Sequence, residues 1–175
     1  MRRIYLLFLI LGLIAADQLT KSIARATLAG RMSRQYGVVT LVYTTNPGAF
    51  LSIGASLPPN IRAALFSGVV TLALGIAAIA LVRGNVQSRG DKLALAVIIA
   101  GGVGNLVDRL RFGGRVTDFL YLAAGPFHTG IFNVADVAIT CGILWLALSW
   151  APASWRATKR RRALKRNDST DGRVS

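Results

Sequence analysis

The stretch Ile131–Thr140, IFNVADVAIT, runs directly into CGILWLALSW at Cys141–Trp150. An apolar span suited to a lipid bilayer thus opens with an asparagine and an aspartate three residues apart. An ionised carboxylate is expensive in hydrocarbon, so an acid placed there marks a functional site until another role is shown. On a helix, i and i+3 share one face, so the Asn133 amide can donate to Asp136 and neither group is orphaned.

Three further apolar stretches accompany Val134–Trp150, namely Ile4–Ala16, Ala63–Val82 and Leu93–Val107. Flanking residues extend each to the roughly 20 needed to span a bilayer. With 53% hydrophobic residues in 175, the chain is long enough for one domain and too apolar for an ordinary soluble one. Asp17 breaks the first stretch, so its span must continue through DQLTKSIARATL with the polar groups turned inward. The sequence therefore predicts an α-helical integral membrane protein with four transmembrane helices. The opening MRR and its apolar run also resemble a secretory signal peptide. Cleavage after Ala16 or Ala15 would place Ile14 or Leu13 at the −3 position, where a small residue is needed, so a retained helix is expected.

The formal charge is +14, unevenly placed, with eight of the 21 basic residues in the tail from Arg156. Arg2 and Arg3 open the chain, and Arg83, Arg89 and Lys92 sit in or beside one short loop. Four spans put these three regions on one side, which the positive-inside rule makes the cytoplasm. Arg25, Arg31, Arg34 and Arg62 flank the opposite side and weaken this signal without reversing it. The expected organisation is one four-helix domain over 1–155 and a disordered basic tail over 156–175. Beside a membrane span, that tail suits anionic lipid headgroups better than nucleic acid. Cys141 and His128 are each the sole residue of their kind, so a structural zinc site is not expected; no other metal and no cofactor is expected either.

Between the first two spans, VVTLVYTT is rich in β-branched and aromatic residues and runs into the turn signal NPGAF. It predicts a small β element around 37–59 on the outer surface. Between the last two spans, Gly113–Gly114 marks a turn, and VTDFLYL reads as a short amphipathic piece at the membrane surface.

The chain has no glutamate, and four of its seven aspartates lie within or beside apolar segments: Asp17, Asp108, Asp118 and Asp136. Asp91, Asp168 and Asp171 fall in loop or tail, with no specific role expected. Asn105 and Asp108 repeat the i, i+3 pairing. There an interhelical polar clasp is the simpler reading, with Arg109 beside Asp108 to neutralise it. Gly101, Gly102 and Gly104 of the same segment would let a neighbouring backbone come close. A phosphate loop is excluded by the lack of a following Lys-Ser/Thr. Asp118 and Asp136 differ, because both lie at the outer membrane edge where water reaches them. If the 17 residues between them fold back, the carboxylates face each other and cannot both ionise. The ionised acid could then activate water while the protonated one polarises a carbonyl.

Five motifs in order carry a family resemblance: DQLTK at Asp17–Lys21, NPGAF at Asn46–Phe50, GGVGNLVDR at Gly101–Arg109, VTDF at Val116–Phe119 and FNVAD at Phe132–Asp136. Together they resemble the lipoprotein signal peptidase family (signal peptidase II), the bacterial inner-membrane aspartic peptidases. The resemblance implies removal of the signal peptide from prolipoproteins just before a cysteine carrying a diacylglyceryl group. It implies a catalytic pair of Asp118 and Asp136, with Asp108 in support. Asn46, Gly48, Asn105, Arg109 and Asn133 would shape the pocket, and Asp17 and Lys21 would brace the first helix. It also implies no cofactor, and that the β element is a periplasmic cradle over the site. NPGAF departs from the usual Asn-x-Gly-Ala-Ala-Phe in being one residue shorter and in carrying Pro47.

Two other classes stay in view. A small transporter would use buried aspartates for protons or a cation, but would want them near mid-membrane. A non-catalytic assembly subunit would use the Asn/Asp pairs as helix glue, leaving the Asp118 loop and NPGAF without a purpose.

Overall fold

The structure, a computed structural model, describes residues 3–47, 58, 61, 64–86 and 88–150. Gly48, Ala49 and Phe50 of NPGAF and the basic tail lie outside the described residues. Among the described residues, two of the four helices are long and apolar enough to cross a membrane: α1 (Arg3–Leu28) and α3 (Arg89–Arg111). At about 1.5 Å per residue they reach roughly 39 and 35 Å, beyond the ~30 Å hydrocarbon core. The other two, α2 (Val70–Arg83) and α4 (Val134–Ser149), are shorter and apolar. A π-helical turn at Ala64–Val69 leads into α2.

Helix α1 is unbroken through Asp17. It carries Asp17, Lys21, Ala24 and Leu28 buried along one stripe, at spacings of four and three residues that keep them on one face. Ile4, Leu7, Phe8 and Leu11 stay exposed on the protein surface, as expected of side chains that face lipid. Helix α3 is central and packs against α1, α2 and α4. Its glycines allow close approach: a Cβ on Gly101 would lie 2.5 Å from the Ala135 carbonyl oxygen, and one on Gly104 would lie 2.5 Å from the Asp17 carboxylate.

An antiparallel sheet closes one end, in the order β1 (Arg34–Tyr36), β2 (Val39–Asn46), β3 (Val116–Ala124) and β4 (Phe127–His128). Only the second strand was anticipated. The segment read as an amphipathic surface piece is the nine-residue β3, which pairs with β2 through Thr44↔Asp118, Thr45↔Thr117 and Asn46↔Val116. Its first four residues are all buried, so the alternation that announces a strand is lost exactly where helices and sheet cover both faces. The turn before it is made by Gly113 and Gly114, with φ of 60° and 83°, a left-handed region that glycine enters without strain. Ala24, Leu28 and Phe119 form a small core that seats the sheet on the C-terminal end of α1.

Candidate active site

The 17 residues between Asp118 and Asp136 do fold back. Leu120 pairs antiparallel with Phe132, and the amides of Phe119 and Leu120 both donate to the Phe132 carbonyl, at 3.0 and 2.9 Å. This brings the first turn of α4 against the start of β3. Asn133 is the N-cap of α4: its side chain accepts from the Asp136 amide at 3.0 Å, while its own amide donates to Asp136 Oδ2 at 3.2 Å. The reciprocal capping box fixes the Asp136 carboxylate at the helix start.

The same Asn133 holds the second acid. Its Nδ2 donates to Asp118 Oδ1 at 2.6 Å, and it also lies 3.2 Å from Asn105 Oδ1 and 3.3 Å from the Thr117 carbonyl. Asn46 donates to Asp118 Oδ2 at 3.0 Å, and Asn105 to Asp136 Oδ1 at 2.9 Å. Each of the four carboxylate oxygens therefore accepts from an asparagine N–H, and each keeps a further lone pair for a water or a peptide group. These donors are neutral, so they fix geometry without forcing both acids to ionise. Asp118 is 1% exposed and Asp136 8%. A cavity of about 190 Å³, lined by Thr44, Thr45, Asn46, Pro47, Gly130 and Ile131, opens onto Asp118. Burial, followed by the Asp136 charge, pushes the Asp118 carboxyl up to about 6, against the downward pull of Asn46, Asn133 and Lys21.

A second layer carries the cation. Lys21, 0% exposed, lies 2.9 Å from Asp17 Oδ2 and 3.8 Å from Asp108 Oδ2, and donates to Asn105 Oδ1 at 2.8 Å. Asp17 Oδ1 in turn accepts the Ala135 amide at 3.0 Å, in the first turn of α4. Asp17 and Lys21 thus brace α3 and α4 against α1, a wider role than steadying α1 alone. The Asn105–Asp108 pairing expected within α3 does not form. Asn105 turns to Asp136, Asn133 and Lys21, while Asp108 Oδ2 accepts the Thr117 amide at 2.8 Å, just before Asp118. Asp108 also has Arg25 at 3.7 Å, besides Lys21, both from α1. Arg109 is buried and within electrostatic range of Asp136, Asp118 and Asp108.

Sequence reasoning passed over Gln18, Arg25 and Thr117. Gln18 Nε2 lies 3.2 Å from Asp17, 3.0 Å from the Gly104 carbonyl and 3.2 Å from Asp108. A signal for Arg25 was its place one turn beyond Lys21, on the face that carries Asp17. Thr117 lies within VTDF, but no role for it could be read there, since its backbone supplies two of its contacts.

Comparison with known proteins adds the following. The family model for signal peptidase (SPase) II matches residues 9–151. A lipoprotein signal peptidase of Desulforapulum autotrophicum is 38% identical over 135 residues, covering 75% of this chain and 82% of that one. The lipoprotein signal peptidase of Sphingopyxis alaskensis is 40% identical over 134 residues, covering 74% and 75%. A solved bacterial membrane enzyme superposes with a TM-score of 0.69 at 22% identity, covering 83% of this chain and 86% of its own, which speaks for the fold.

Proposed function

The chain belongs to the signal peptidase II family and is a peptidase; on that premise we propose that it removes the signal peptide from prolipoproteins by cutting just before a cysteine that carries a diacylglyceryl group. Asp118 and Asp136 act as the acid pair. The observation that supports this best is Asn133, one residue whose amides hold a carboxylate from the sheet and a carboxylate from a helix together beside a cavity. A purely structural clasp has no need of two acids that share neutral donors.

The chemistry follows from that arrangement. With one proton between them, the ionised carboxylate takes a proton from a water, whose oxygen attacks the scissile carbonyl carbon. The protonated carboxyl gives its proton to the carbonyl oxygen, producing a neutral gem-diol without a covalent enzyme intermediate. On collapse, one gem-diol hydroxyl returns its proton to the carboxylate that gave one, the C–N bond breaks, and the leaving amine takes the proton that came from water, which restores the singly protonated pair. The signal peptide departs with a new carboxyl end, and the lipidated cysteine with a free amine.

The four helices are taken to span the bacterial inner membrane with both termini cytoplasmic, as the basic loop and tail favour. The pair then sits at the periplasmic edge, where a lipid-anchored substrate presents its scissile bond and water is at hand. Asp17, Lys21 and Asp108 support the pair, and Asn46, Asn105, Arg109 and Asn133 shape the pocket, with Gly48 assigned to it by the resemblance alone. The test is cleavage of a diacylglyceryl-modified prolipoprotein by the purified protein. Asp118→Asn and Asp136→Asn should each lose on the order of 10³-fold in rate while remaining folded. Either variant keeping most of its activity removes the aspartic mechanism.

A further inference from the structure

Asp118 is fixed through its carboxylate by two asparagines, but its backbone position depends on the residue before it. Thr117 is 2% exposed and gripped at three atoms. Its amide donates to Asp108 Oδ2 at 2.8 Å, its carbonyl accepts from Asn133 at 3.3 Å, and its Oγ1 accepts from Arg25 Nη1 at 2.8 Å. The first two grips belong to the site already described. The third comes from the last turn of α1, from a residue that neither the sequence motifs nor the proposed machinery includes.

Arg25 is built for this contact. While Nη1 reaches Thr117, Nη2 donates to Ser22 Oγ at 3.0 Å, and the guanidinium carbon stacks 4.6 Å from the centre of the Phe112 ring, at the end of α3. The Asp108 carboxylate, 3.7 Å away, supplies the opposite charge. A planar fork can donate to two hydroxyl oxygens while lying on an aromatic face; a lysine ammonium cannot do all three. Successive residues of a strand point to opposite faces. Arg25 therefore holds the far side of β3 from the one on which the Asp118 carboxylate meets Asn133 and Asn46. We infer that Arg25 is a positioning residue that latches Thr117 to the end of α1 and the end of α3, and so sets where β3 delivers the Asp118 carboxylate.

This rests on the proposed role of Asp118, so its test has one readout with activity and one without. In the cleavage assay, Arg25→Met and Thr117→Val should each lower kcat on the order of tenfold with KM unchanged, because misplacing a reacting group costs the chemical step and not the binding. The double variant should be no worse than the poorer single one, since both remove the same bond. Thr117→Ser, which keeps the hydroxyl, should retain kcat within about twofold of the wild type, and Arg25→Lys should fall between wild type and Arg25→Met. Without activity, amide hydrogen exchange over Val116–Phe119 should quicken in Arg25→Met while exchange over the first half of α1 is unchanged. If Arg25→Met fails to fold, Thr117→Val against Thr117→Ser carries both readouts alone. Unchanged kcat in Thr117→Val, losses that multiply in the double variant, or unchanged exchange over Val116–Phe119 each overturn the latch. A wild type that never cuts, together with the expected exchange change, would instead defeat the peptidase mechanism and leave the latch standing.

Discussion

Two helices of this protein start in the same way and come to different ends. Helix α3 begins Ser88-Arg-Gly-Asp91, with the Ser88 hydroxyl accepting from the Asp91 amide at 3.4 Å. Helix α4 begins Asn133-Val-Ala-Asp136, with the Asn133 side chain accepting from the Asp136 amide at 3.0 Å. Both put an N-cap and an acid in the first turn, where the helix dipole favours negative charge. Asp91 meets two indoles: Trp145 Nε1 donates to it at 3.1 Å and Trp150 Nε1 at 3.3 Å, tying the end of α4 to the start of α3. Asp91, for which no specific role is expected from the sequence, is thus a helix-to-helix tie. Asp136 meets Asn105, and across Asn133 it faces a second carboxylate. Local chemistry makes a helix start in both places; what the fold sets opposite it makes one a tie and the other a candidate reaction centre.

That contrast can be broken. The largest effect separates the two acids themselves. Asp136→Asn should lose cleavage on the order of 10³-fold, while Asp91→Asn should stay within about twofold, as measured on the same lipidated substrate. Comparable losses would mean that the two caps do not differ in kind.

Next come the caps. Asn133→Ala removes an N-cap worth about 1 kcal/mol and also the side-chain hold on the Asp118 carboxylate, so cleavage should fall on the order of 10²-fold. Ser88→Ala should cost about 1 kcal/mol or less of stability and leave the cleavage rate unchanged. Equal activity losses would erase the distinction.

The pH response sharpens it further. With the Asp118 carboxyl pushed up to about 6, chiefly by burial, the singly protonated pair persists toward neutral pH. Cleavage should therefore decline as pH rises through about 6. A rate that stays flat from mildly acid to alkaline pH contradicts the shared proton. The same shift appears in stability. A carboxyl raised from 3.8 to about 6 contributes stability that is complete below the lower value and lost as pH rises through the upper one. Between these limits the wild type should lose on the order of 3 kcal/mol that Asp118→Asn does not, read from unfolding midpoints in detergent. The smallest effect belongs to the tie: Trp145→Phe should lower stability by about 1 kcal/mol or less, with cleavage untouched. A large loss of activity there would connect the two ends of the bundle.

Much of this was legible in the chain. Hydropathy located four helices, and the burial cost of charge singled out Asp17, Asp108, Asp118 and Asp136, which are all buried. The i, i+3 pairing of Asn133 with Asp136 was readable because a capping box is a local device, complete within four residues. The matching inference for Asn105 and Asp108 failed because those residues sit at the other end of a helix, surrounded by partners from α1, α4 and β3. The strand β3 was missed because both of its faces are covered at the start, which hides its alternation. Gly48 lies outside the described residues, so its expected place in the pocket rests on the resemblance alone.

By itself the sequence determined which segments are too apolar for water, which acids are too costly to bury idly, and which residues cap α4. These follow from composition and from neighbours a few residues apart. The tertiary structure alone decided that Lys21 serves Asp17, Asn105 and Asp108 together, that Thr117 is gripped from three elements, and that Asn133 joins Asp118 to Asp136. Those contacts link residues distant in the chain, and their energy exists only where burial has removed the competing water.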